Sequence, residues 1–128
     1  DVNLLKDAKK DVIFSSFPLF LKALQWHSYE VQNLENNKNV KVLASSPTTK
    51  VQIFKYKNHA YGIQFHIEIK DTTVSDWSCV PEYKSALEKK LGPNALEKFD
   101  KSAKENLKDM NNYSKILYTE FKNLILRN

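Results

Sequence analysis

The sequence predicts an α/β chain in two unequal parts, strands and loops to about residue 70 and helices beyond it. Three observations carry this reading. Apolar and polar residues alternate over 40–45 and 51–56, the period-two signature of strands. Turn-forming runs, Ser46-Pro47-Thr48-Thr49-Lys50 and Lys57-Asn58-His59, punctuate the same region and make a β-hairpin its natural arrangement. From residue 71 the apolar period changes to three-to-four, the spacing of amphipathic helices. No linker, internal repeat or low-complexity tract divides the chain. Residues 1–128 therefore read as a single domain, or a large piece of one, with a strand and loop part over 1–70 and a helical part over 71–128.

Each element has its own warrant. Residues 4–10 are polar after a short apolar start. Residues 11–24 hold Phe14, Phe17, Phe20 and Leu24, but Pro18 excludes a long helix. An aromatic-rich loop with one helical turn results, anchored by Phe14 and Phe20. Residues 25–31 read as a short strand running into a loop. In the hairpin, Val40, Val42 and Ala44 share one face of the first strand, and Val51, Ile53 and Lys55 share one face of the second. Residues 60–66 are nearly all apolar, the pattern of a central strand covered on both faces. Asp71-Thr72-Thr73 caps a short helix through Trp77. Pro81 opens a second helix that ends at Leu91 before Gly92, with Tyr83, Leu87 and Leu91 as its stripe. Pro93-Asn94 opens a third, to about Asp109, with Leu96, Phe99, Ala103, Leu107 and Met110 on one side. Asn111-Asn112 separates it from a final helix that aligns Tyr113, Leu117, Phe121 and Leu124.

Composition narrows the function classes. The net charge is +5, but every basic residue except Arg127 is a lysine and the excess is spread along the chain. Arginine is the better fork for phosphates and base edges, so the charge argues against a nucleic-acid module. No apolar run approaches the roughly 20 residues of a membrane-spanning helix. The first ten residues lack the basic-then-apolar order of a secretory leader. The single cysteine, Cys79, has no internal disulfide partner, and a reducing, cytoplasmic setting is expected. His27, His59, His66 and Cys79 match no usual zinc spacing, so no metal is expected. Two glycines in 128 residues leave no phosphate-cradling loop and no nucleophile elbow. No cofactor is expected.

The pair that stands out is His66 and Glu68. In an extended segment, side chains at i and i+2 point to the same side. Glu68 is therefore placed to accept a hydrogen bond from one ring nitrogen of His66. That bond would fix the tautomer and leave the other nitrogen to handle a proton. Spacing alone favours the plainer reading, a histidine packed at a strand end beside a solvated carboxylate.

Gly62-Ile63-Gln64-Phe65-His66-Ile67-Glu68 resembles the Gly-x-Gln-Phe-His-Pro-Glu segment of class I glutamine amidotransferases. Gln25-Trp26-His27-Ser28-Tyr29-Glu30 is similar to the Trp-His segment upstream in the GMP-synthase-like members. Leu43-Ala44-Ser45-Ser46, followed by Val51-Gln52-Ile53-Phe54, resembles that family's hairpin. Trp77 falls where these proteins often carry a tryptophan in the helix after the glutamate. The resemblance covers about residues 4–80.

The resemblance implies a partial flavodoxin-like α/β sheet with a β-hairpin, followed by a helical C-terminal tail. It also implies a Cys-His-Glu triad that hydrolyses glutamine to glutamate and ammonia. By motif match His66 would be the general base and acid, and Glu68 would orient it. His27 and Trp26 would lie near the substrate pocket. The family nucleophile sits in a Gly-x-Cys-x-Gly motif upstream of the Trp-His segment, and these 128 residues contain no such motif. The expectation is thus the C-terminal half of the domain, inactive alone, with glutamine as substrate of the complete domain. Its partners would be the missing N-terminal half and a synthetase that uses the ammonia. The alternative is a non-catalytic module that associates with itself or another protein. Ile67 stands where the family pattern has proline, which changes the backbone preference just before Glu68.

Overall fold

The computed structural model describes residues 1–34 and 36–127. The strands are β1 (Val2–Leu4), β2 (Phe20–Leu21), β3 (Val40–Ser45), β4 (Ile53–Tyr56) and β5 (Ala60–Ile63). One 3-10 turn, Lys6–Lys10, follows β1. The helices are α1 (Thr73–Ser78), α2 (Pro81–Leu91) and α3 (Ala95–Leu126). The strands form one sheet in the order β2-β1-β3-β4-β5, antiparallel at every pairing. The mixed α/β architecture and the β3–β4 hairpin are as the alternation predicts.

The hairpin register shows why β4 starts two residues later than its apolar pattern. Val42 faces Phe54, yet Ala44 faces Ile53, so β3 carries a bulge between them. The turn closes through Ser46 N–H to the Thr49 carbonyl at 2.8 Å, and Thr49 N–H donates to Ser46 Oγ at 3.1 Å.

Four local expectations are corrected. Residues 25–31 form no strand, because His27 bonds back to Gln25 and Tyr29 within its own segment instead of entering a ladder. β5 is an edge strand and ends at Ile63, not a covered central strand to residue 66. The apolar residues past its end serve another purpose: Phe65, Ile67 and Ile69 leave the ladder and insert into the core. Phe20 is no anchor. It is 70% exposed on β2, and Phe17 joins Phe14 in the core instead. Finally, α3 runs unbroken through Asn111 and Asn112. Its inward positions Ala103, Leu107, Met110, Tyr113 and Leu117 keep three-to-four spacing across that pair, and packing overrides the weak helix preference of asparagine.

One core joins both halves of the sequence. Val2, Phe14, Phe17, Leu43, Ile53, Phe65 and Ile67 pack with Val74, Ala103 and Met110. Phe17 meets Tyr113 of α3 at 6.1 Å between ring centroids, and Ser16 Oγ donates to Glu120 at 3.2 Å. α3 thereby clamps the aromatic loop against the sheet.

Gly62 in β5 has a steric reason to lack a side chain. It faces Phe54 across the strands, and a Cβ there would lie 2.2 Å from the Phe54 ring. Gly62→Ala should therefore cost about 1–3 kcal/mol as the ring is driven off the sheet face. The denaturant midpoint measures this, and Gly62→Ala combined with Phe54→Ala should cost less than the sum of the two.

Candidate active site

Burial alternates strictly over residues 65–70, with Phe65, Ile67 and Ile69 inward and His66, Glu68 and Lys70 outward. The backbone of His66 is fixed by a reciprocal pair of bonds with Leu24, each 2.9 Å. The inward isoleucines anchor the segment, and the outward pair meets. His66 Nδ1 lies 2.7 Å from Glu68 Oε1. Glu68 Oε2 accepts the Ile67 backbone N–H at 2.9 Å. A proline at position 67 would have no such N–H to give, so the departure from the family pattern supplies the carboxylate with a second anchor.

The charge state follows from these contacts. Partial burial pushes the Glu68 pKa up. The hydrogen bond from His66 and the backbone N–H groups of Glu68 and Ile67 outweigh it and hold the carboxyl below the usual range. An ionised carboxylate only accepts, so Nδ1 of His66 must carry the proton it shares. In the neutral ring Nε2 is then a bare acceptor, and it has no hydrogen-bond partner among the described residues. This arrangement can take a proton at Nε2 and return it. The Glu68 side chain is 61% exposed. Glu68→Gln should thus move stability by no more than about 0.5 kcal/mol at pH 7. With its folded pKa depressed, Glu68 contributes stability above the ordinary carboxylate range and loses it as pH falls through the folded value. The glutamine variant should remove that small acid-limb dependence in a urea titration.

The ring of His66 also packs against Trp77 of α1, 5.1 Å between centroids at 71°. Trp77 meets Trp26 at 5.4 Å, and Trp26 meets Phe99 of α3 at 5.5 Å. Trp26 is thus tied to His66 through Trp77. His27 lies elsewhere. Its Nδ1 is 2.8 Å from the Tyr29 carbonyl and its Nε2 2.8 Å from Gln25 Oε1. It lines an open cleft of about 460 Å³ with Ser28, Tyr29, Glu30, Thr48, Thr49 and Lys90, a cleft that His66 and Glu68 do not line. The Cys79 thiol is exposed and donates to the Ser75 carbonyl at 3.4 Å. Among the described residues, no three histidine, cysteine or carboxylate side chains cluster as metal ligands.

A second polar cluster was not singled out by sequence reasoning. Asp11 is buried and receives Lys55 at 2.9 Å, the Tyr61 hydroxyl at 3.0 Å and the Ile13 N–H at 2.9 Å. The available signal was an aspartate just before an aromatic loop, where its carboxylate caps free N–H groups.

The profile of the family described as glutamine amidotransferase class-I matches residues 2–76, which include both His66 and Glu68. The chain belongs to the class I glutamine amidotransferases. Within that family it is 37% identical over 73 residues to the glutamine-hydrolysing GMP synthase subunit of Ignicoccus hospitalis. That match covers 56% of this chain and 37% of the relative. A crystal structure of a glutamine amidotransferase from Thermotoga maritima superimposes with a TM-score of 0.55 at 26% identity. That match covers 98% of this chain and 47% of the other. This amidotransferase chain therefore spans less than half the length of either protein. The α/β fold, with its antiparallel hairpin sheet and C-terminal helix, is shared with the Thermotoga amidotransferase. Among the described residues, no helix is long and apolar enough to cross a membrane.

Proposed function

We propose that this chain is the C-terminal part of a glutaminase domain and supplies the proton-handling pair of its Cys-His-Glu triad. One observation carries the reading: the 2.7 Å bond from His66 Nδ1 to Glu68, which leaves Nε2 open at a site inside the family match. The cysteine lies on sequence outside these 128 residues. Its thiolate attacks the side-chain amide carbon of glutamine and forms a tetrahedral intermediate. His66, protonated at Nε2, donates that proton to the departing ammonia. The neutral ring then takes a proton from water, which hydrolyses the glutamyl thioester to glutamate and frees the thiol. Glu68 holds the tautomer and stabilises the imidazolium that forms in each cycle. Trp26, tied to His66 through Trp77, is assigned to the wall of the substrate pocket, whereas His27 lines a separate polar cleft. The Ignicoccus relative is named as a glutamine-hydrolysing part of GMP synthase, so a synthetase that consumes ammonia is the proposed partner. A thiol nucleophile suits a reducing, cytoplasmic compartment.

The test is ammonia release from L-glutamine. The isolated chain should show none, and the gene product that contains these residues together with a Gly-x-Cys-x-Gly segment should turn over. Turnover by the isolated chain, abolished by His66→Ala, would overturn the assignment of the nucleophile. A second reading, a self-associating module without catalysis, is favoured by one feature: apolar Leu19 and Phe20 are exposed on and beside the edge strand β2. A chain that sediments as a monomer over a hundredfold dilution series would remove it.

A further inference from the structure

We propose that Trp77 is a positioning residue for His66, fixing the plane of its ring; the proposal rests on the reading of His66 as the proton carrier. The hydrogen bond to Glu68 cannot hold the imidazole alone. It restrains one ring atom, and the terminal torsion of histidine is intrinsically broad. The Glu68 side chain is 61% exposed and anchored only on backbone N–H groups of its own segment, so it leaves the tilt of the ring about Nδ1 open. A second contact from a different direction removes that freedom, and Trp77 supplies it at 5.1 Å and 71°.

Trp77 can do this because it is itself wedged. Trp26 packs on it edge-on at 5.4 Å, and Trp26 in turn rests on Phe99 of α3 and Tyr83 of α2. His66 is thereby rooted in all three helices through a continuous row of rings. Among the described residues, the hydrogen-bond and ring contacts of the His66 side chain come from two directions: Glu68 on its own segment and Trp77 on α1. An indole has no charge to donate, so its contribution is geometric.

The test uses the 128-residue chain and variants of it at positions 77, 26 and 66. The ring protons of His66, held against the indole, carry a ring-current displacement in the proton NMR spectrum. Trp77→Ala should return them to the positions of a free histidine, and Trp77→Phe should keep most of the displacement. In a Trp26→Phe background the emission of Trp77 should differ between neutral and acidic buffer, because an imidazolium in contact with an indole quenches it. That step should vanish in His66→Gln. This second measurement needs no alanine at position 77 and stands even where Trp77→Ala fails to fold. In the gene product that contains the chain, Trp77→Ala should lower kcat for glutamine roughly a hundredfold, the scale of a 1 Å misplacement. KM should stay within about threefold. Folded Trp77→Ala with wild-type His66 ring shifts, or an emission step that persists in His66→Gln, would overturn the proposal. An emission step that depends on His66 in a gene product without glutaminase activity would uphold the contact and remove the glutaminase reading instead.

Discussion

His66→Ala, introduced into the gene product that contains this chain, should cut glutamine hydrolysis by at least about 10⁴-fold. That is the scale on which a nucleophilic triad loses its base. The size follows from two duties placed on one nitrogen. Nε2 of His66 is the only atom of the pair free to take and return a proton, since Nδ1 is committed to Glu68. On the proposed mechanism, without the ring the leaving ammonia would have no acid and the thioester's water no base. Glu68→Ala should cost less, because the ring remains and loses only its committed tautomer. The double variant should be no slower than His66→Ala alone, since Glu68 acts through the ring. Ammonia release by a coupled assay, with the thermal midpoint as control for folding, measures all three. A double variant much slower than His66→Ala would assign Glu68 a separate role.

Asp11→Ala should destabilise the fold by about 3–5 kcal/mol, the cost of leaving a buried charge without its partner. The Asp11 carboxylate is 3% exposed, and Lys55 opposite it is 14% exposed. The substitution strips the acceptor from Lys55 and Tyr61 and from the N–H groups of Ile13 and Phe14, which hold the aromatic loop in its turn. Burial raises the Asp11 pKa. Hydrogen bonds from Lys55, the Ile13 N–H and Tyr61, with the charge of Lys55, outweigh it and hold the group below its ordinary value. The folded pKa is thus lower than the unfolded one, near 4. This stabilisation is complete above that value and is lost as pH falls through the folded pKa. Lys55 is the mirror case. Burial lowers its pKa, while Tyr61 and Asp11 raise it overall. Its contribution is complete below the unfolded lysine value, near 10.4, and is lost as pH rises through the folded one. Asp11→Ala should therefore flatten both limbs of a stability–pH profile. Asp11→Leu with Lys55→Met should recover much of the loss, because no charge is then stranded.

The parts of the fold that sequence could reveal are those governed by local periods. Period two placed Val42, Ala44 and Ile53 in the hairpin, and Pro81 and Gly92 bracketed α2. The same period put His66 and Glu68 on one side of the chain, where they meet. Decisions made at long range escaped it. Nothing local says that the strand ends at Ile63 and that Phe65 turns into the core, so residues 60–66 read as a central strand. Asn111 and Asn112 read as a break because their preference is local, while the stripe from Ala103 to Leu117 that overrides it is fixed by the core it packs into. The Asp11 cluster joins residues 44 and 50 positions apart, beyond any local pattern. Trp77 could be placed by resemblance, but its contact with His66 depends on how α1 docks.

The division of labour between Glu68 and His66 is tested most directly by the ¹⁵N NMR shifts of the neutral His66 ring in the isolated chain. They should show Nδ1 protonated and Nε2 bare in the wild type, and a mixture of the two tautomers in Glu68→Gln, whose amide can donate as well as accept. A wild-type ring with the proton on Nε2, or a tautomer balance that Glu68→Gln leaves unchanged, would contradict the assignment of Nε2 as the working nitrogen.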